Sequence, residues 1–99
     1  MELIFEWDKN KAKSNLKNHK VSFEEGKTVF QDELLATFFD SVHSDEEHRF
    51  ISIGMSLSNR VLLVIHTENS IVNNEVIIRI ISCRQAEASE RKIYEEGQE

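Results

Sequence analysis

Residues 77–81 read Ile-Ile-Arg-Ile-Ile, and the arginine at their centre restricts what this chain can fold into. Four isoleucines in five positions ask for a strand under apolar cover. A guanidinium there is costly to bury unless something holds it or it faces a cleft. Glu68 and Glu90 are the acids in line to pair with Arg79, and a phosphate would serve as well, because the planar guanidinium fork suits both. The strand then ends in Ser82-Cys83-Arg84 and hands over to a charged helix carrying Glu90, Arg91 and Tyr94. Strand parity adds a condition. Residues 79 and 84 differ by five, so Arg79 and Arg84 face opposite sides of a regular sheet, and both can serve one site only if the strand ends or bulges near Ser82-Cys83.

The remainder of the chain supplies that strand with partners. Residues 61–65, Val-Leu-Leu-Val-Ile, are apolar on both faces, the pattern of a central strand covered on each side. Residues 48–57 and 34–40 read as further strands, with Ser58-Asn59 as a hairpin turn and residues 68–74 as a looser Asn- and Ser-rich connection. Residues 3–7 begin the sheet, with Leu3, Phe5 and Trp7 on one face. Asp8 is placed to cap a helix running to about His19, and Ser22 with Glu25 three residues on forms a capping box for a second, continuing to about Gln31. Gly26 inside that second helix costs about 0.5–1 kcal/mol against alanine, which tight packing or plain tolerance would explain. Residues 85–97 form the last helix, ending at Gly97. The order is β-α-α-β-β-β-β-α: an α+β domain over residues 1–99 with a mostly antiparallel sheet and helices packed on it.

Composition narrows the class. With 99 residues, 39% hydrophobic and 30% charged, the chain supports one core and is neither disordered nor membrane-spanning. Met1-Glu2-Leu3 opens without the basic start and long apolar stretch of a signal peptide, so a cytoplasmic location is expected. The lone cysteine, Cys83, excludes an internal disulfide and is read as packing on the last strand. A net charge of −6 argues against nucleic-acid binding as an average, yet residues 9–20 hold five lysines and no acid. A local basic face can attract phosphate on an acidic protein. Lys11, Asn15 and Asn18 or His19 recur at helical spacing beside the buried stripe of Ala12 and Leu16, where they could rim a groove.

No nucleotide-binding loop, zinc finger or zinc-protease pattern occurs, and His19, His43, His48 and His66 lack metal-ligand spacing, so no metal or other cofactor is expected. His66 ends a core strand next to Thr67, where it is either a hydrogen-bonded structural imidazole or a proton-transfer residue. Glu90 and Tyr94 share one face of the last helix.

Phe5-Glu6-Trp7-Asp8, Lys11, Asn15, His19, Val21, Phe23-Glu24-Glu25, Arg49-Phe50, Ile53-Gly54, Leu63-Val64, His66-Thr67, Arg79-Ile80-Ile81-Ser82, Arg84, Ala86, Glu90 and Tyr94 resemble, in this order, the BrnT family of toxins. The resemblance covers nearly the whole chain. It implies a RelE-like ribonuclease of a type II toxin–antitoxin system that inhibits translation. Its partners would be RNA and a BrnA-like ribbon-helix-helix antitoxin, which alone contacts operator DNA, with a toxin dimer inside a heterotetramer as one assembly open to it. The chemistry implied is metal-free attack of the ribose 2′-hydroxyl on the neighbouring phosphate. Arg79 and Arg84 would be phosphate and transition-state ligands, with Arg49 on the same face. His66 or Glu90 would be the base, Tyr94 a positioning group or proton donor, and Lys11, Asn15 and His19 the lining of the substrate groove. Departures from the family pattern are Asn18-His19-Lys20 where Lys-His-Gly is common, Glu87 at the cap of the last helix, and the long 69–74 connection. The alternative from another class is a non-catalytic module that binds a partner protein through the same polar cluster.

Overall fold

The computed structural model describes residues 2–42, 47–71 and 73–97. Asp8 does cap α1 (Lys9–His19), accepting from the Asn10 and Lys11 amides at 2.8 and 3.0 Å. The helix stops at Lys20, which itself takes the left-handed conformation (φ 60°) that glycine usually supplies at this position. Ser22 accepts from the Glu25 amide and starts α2 (Phe23–Lys27), which tightens into a 3-10 helix over Thr28–Gln31. The box expected here is half formed, because the Glu25 carboxylate turns away to Arg60 and to the Ser56 hydroxyl.

The five strands are β1 (Glu2–Glu6), β2 (Ala36–Phe39), β3 (Phe50–Met55), β4 (Val61–Ile71) and β5 (Glu75–Gln85), followed by α3 (Ala88–Glu96). They lie in the order β1-β5-β4-β3-β2, with β1 parallel to β5 and every other pair antiparallel. The element order and the mostly antiparallel sheet are those expected. The stretch read as a loose connection after residue 67 is instead strand through Ile71, its register running from Glu68 opposite Ile78 to Ile71 opposite Glu75. The chain reverses at Asn73 and Asn74, both left-handed (φ 76° and 64°), the conformation of a tight hairpin turn that asparagine tolerates. Of the polar loop expected at residues 41–47, residues 43–46, with His43, lie outside the described residues.

The two faces of the sheet are covered unequally. α1, α2 and the 3-10 helix close one face over Val21, Phe23, Val29, Leu62, Val64, Ile78, Ile80 and Cys83, with Phe5, Trp7 and Phe30 against them. Gly26 is required by this packing, since a β-carbon there would stand 2.8 Å from the Cys83 sulfur. Among the described residues the other face is covered by α3 alone, which seats Tyr94 on Ile53 and Leu63.

Candidate active site

The site follows from one irregularity in β5. His66 pairs with Ile80 and Ile65 with Ser82, so Ile81 has no partner across the ladder. This bulge reverses the parity beyond it. Arg79 lies opposite Thr67 and Arg84 opposite Leu63, four residues apart on a strand whose alternation is unbroken, so both arginines share the α3 face. They stand about 13 Å apart along the sheet, at a rise of about 3.3 Å per residue.

Across this face one row reads Phe38, Ile51, Ile65, Ser82, and the next Ala36, Ile53, Leu63, Arg84. Arg49 immediately precedes β3, its carbonyl accepting from the Asp40 amide at 2.8 Å, and alternation puts its side chain on the face of Ile51. Arg49, Arg79 and Arg84 therefore surround a floor of Ile51 and Ile65, both half-buried. Arg79 is exposed, opposite Glu6 on β1.

Arg84 donates to both oxygens of Glu90, each at 2.8 Å, across the corner where β5 gives way to α3. Glu90 also accepts from the Glu87 amide at 2.8 Å, closing a capping box with a glutamate at the cap position. The hydrogen bond from Arg84 holds the Glu90 carboxyl below its ordinary pKa, and Glu90 in turn raises Arg84. Tyr94, one turn further on, is buried and donates its hydroxyl to Asp32, which also accepts from the Met55 and Leu34 amides. Burial alone would raise the Asp32 pKa, but these hydrogen bonds outweigh it and hold the carboxyl below its ordinary value. Met55 lies beyond the last β2–β3 pair, so Asp32 satisfies an edge amide and ties α3 to the 3-10 helix around the sheet edge. Nothing in the sequence marks Asp32 for this role, because its partners are 23 and 62 residues away.

His66 is not part of this cluster. It is fully buried on the opposite face, edge-on to Phe30 and stacked with Phe50, with Nε2 2.7 Å from the Ser52 hydroxyl. Burial pushes its pKa down to about 4, so the ring is neutral. Cys83 is buried too, and burial pushes its thiol up to about 12.

Lys11, Asn15 and His19 do meet in one shallow groove, with Asn10, Ser14, Asn18 and Ile81, of about 340 Å³. Asn15 also has a structural duty. β1 ends opposite Arg79, and the Asn15 amide takes over as partner of the bare β5 edge, accepting from the Cys83 amide at 3.0 Å and donating to its carbonyl at 2.7 Å. Ile81, in the groove lining, follows Arg79 by two residues on β5. The Lys11 and Asn10 amides, then the charges of Lys11 and Arg79, lower the Asp8 pKa. Among the described residues no group of three or more His, Cys, Asp or Glu side chains is placed to hold a metal ion, and no helix is long and apolar enough to cross a membrane.

The fold and this face define a small α+β domain whose sheet is covered on one side and carries arginines around an open floor on the other. Residues 7–90 match the family model described as the ribonuclease toxin BrnT of type II toxin–antitoxin systems, and the chain belongs to that family. Its fold is similar to that of the ribonuclease toxin BrnT of Brucella abortus, known from a 1.1 Å crystal structure. The TM-score is 0.56 at 21% identity, over 88% of this chain and 99% of that one. No curated protein matches the chain in sequence.

Proposed function

We propose that this chain is the toxin of a type II system and cuts RNA without a metal, by attack of the ribose 2′-hydroxyl on the adjacent phosphate. The single observation carrying this reading, beyond family membership, is the Arg84–Glu90 pair at the edge of the arginine-ringed face. A phosphodiester approaching Arg84 competes with Glu90 for the guanidinium. As Arg84 turns to the phosphate, the Glu90 carboxylate loses the bond that depresses its pKa and becomes the stronger base. Glu90 takes the 2′-hydroxyl proton, O2′ bonds to phosphorus, the P–O5′ bond breaks, and the 5′-oxygen leaves with a proton from protonated Glu90 or water. Arg84, with Arg79 and Arg49 on the same face, stabilises the charge gathering on the phosphorane. Tyr94 positions α3, and Lys11, Asn15 and His19 line the groove that carries the strand past Arg79.

On this reading the chain acts in the cytoplasm, inhibits translation by removing RNA, and is neutralised by a BrnA-like ribbon-helix-helix antitoxin. Operator DNA is reached only through that partner. The test is incubation of the purified chain with single-stranded RNA in excess EDTA, followed by analysis of the product ends. New 2′,3′-cyclic phosphate and 5′-hydroxyl ends are expected. Intact RNA together with a stable antitoxin complex would favour the non-catalytic module instead.

A further inference from the structure

The cleavage chemistry leaves part of the open face unused. Beside Glu90 lies an apolar cleft of about 220 Å³ lined by Phe38, Ile51, Ile53, Leu63, Glu90 and Ile93. Phe38 and Ile93 are 45% and 46% exposed there. Large apolar groups facing each other across a cleft gain from an occupant that removes them from water. Among the described residues the Glu90 carboxylate is the only charged group in the lining, and the surrounding cations, Arg49, Arg79 and Arg84, suit an occupant attached to phosphates.

We propose that this cleft is a nucleobase subsite in which a base next to the scissile phosphate stacks on the Phe38 ring, over Ile51 and Leu63. The inference rests on the ribonuclease reading above and gives its substrate a second point of attachment. Three observations favour a base over other occupants. The cleft is continuous with the Arg84–Glu90 pair, since Glu90 belongs to both. Its volume suits one planar ring system rather than a helix. Its flanking charge is that expected for a polyanion whose bases are apolar on their faces. Stacking on an aromatic ring tolerates any base, so the subsite would strengthen binding more than it selects sequence.

The experiment uses the purified chain and a single-stranded RNA, 2′-O-methylated throughout so that it cannot be cut, carrying one 2-aminopurine at successive positions. Binding and emission are read for the wild type, Phe38→Ala, Phe38→Trp and Phe39→Ala, the last altering the opposite face of the same strand. The wild type is expected to quench one position. Phe38→Ala should bind about tenfold more weakly and lose the quench, Phe38→Trp should keep both, and Phe39→Ala should match the wild type. Equal binding and quenching by Phe38→Ala would overturn the subsite. So would failure of the wild type to bind, or a Phe38→Ala defect confined to the complex with an antitoxin, which would give the cleft to a protein side chain. Cleavage of unmodified RNA by wild type and Arg84→Ala, run in parallel, tests the ribonuclease reading separately.

Discussion

Arg60–Glu25 and Arg84–Glu90 are chemically the same pair in two settings. In both, a guanidinium donates twice to one glutamate, and in both the glutamate pKa is lowered by that bond. Around Arg60 every remaining bond is to structure: Arg60 also donates to the Lys20 carbonyl, and Glu25 accepts from the Ser56 hydroxyl. That pair ties the end of α1, the start of α2 and the β3–β4 hairpin together. Arg84–Glu90 is bonded to structure as well, through the Glu87 amide and the Gln85 carbonyl, but it borders an apolar cleft on the thinly covered face, with two further arginines on that face. A paired arginine does not define a site; the space in front of it does.

The same division separates the two faces as wholes, and the strongest way to break it is through the covered one. Asn15→Ala should leave the Cys83 amide and carbonyl without partners and cost about 3 kcal/mol, at roughly 1–3 kcal/mol for each unsatisfied group. Chemical denaturation checks this. Cleavage per folded molecule should fall only by what one groove contact contributes, and a full-stability variant that no longer cuts RNA would move Asn15 to the catalytic side.

Next in size is a pH effect at His66. Its folded pKa of about 4 lies below the ordinary 6.5, so between those values the unfolded chain binds a proton that the folded chain does not. Stability is therefore full above about 6.5 and falls as pH drops toward 4, by about 3 kcal/mol at 1.36 kcal/mol per unit. Urea titrations across that window should show the slope, and His66→Phe should flatten it. A cleavage inflection near neutral pH that vanishes with His66 would instead make it the base.

A smaller effect is expected on the open face itself. Tyr94→Phe removes the bond that ties α3 to Asp32 and should cost about 1–2 kcal/mol. Cleavage should fall modestly, through looser placement of Glu90. A loss as large as that of Arg84→Ala would make Tyr94 a proton donor rather than an anchor.

Much of this was legible in the sequence where the cause is local. Asp8 caps α1 as expected and residues 61–65 do form part of the central strand; parity leaves open in the sequence whether Arg79 and Arg84 share a face, and the bulge at Ile81 decides it. What was hidden depends on contacts between distant residues. Which face His66 takes is set by its alignment opposite Phe50 and Ile80. Asn15 looks like an exposed helix residue until the short β1 leaves the β5 edge bare at Cys83, 68 residues away. The 68–74 segment hides a strand because Asn and Ser are poor strand formers, and only pairing with residues 75–78 overrides that preference.

One arginine–glutamate pair holds the fold and the other faces the substrate, so the most direct measurement takes Arg60→Ala and Arg84→Ala side by side, each for melting temperature and for RNA cleavage per folded molecule. The expectation is that Arg60→Ala lowers stability and cuts RNA at the wild-type rate. Arg84→Ala should keep most of its stability and lose about 100-fold or more in cleavage, the scale of removing a transition-state charge ligand. Wild-type cleavage by a folded Arg84→Ala protein would remove Arg84 from the active site.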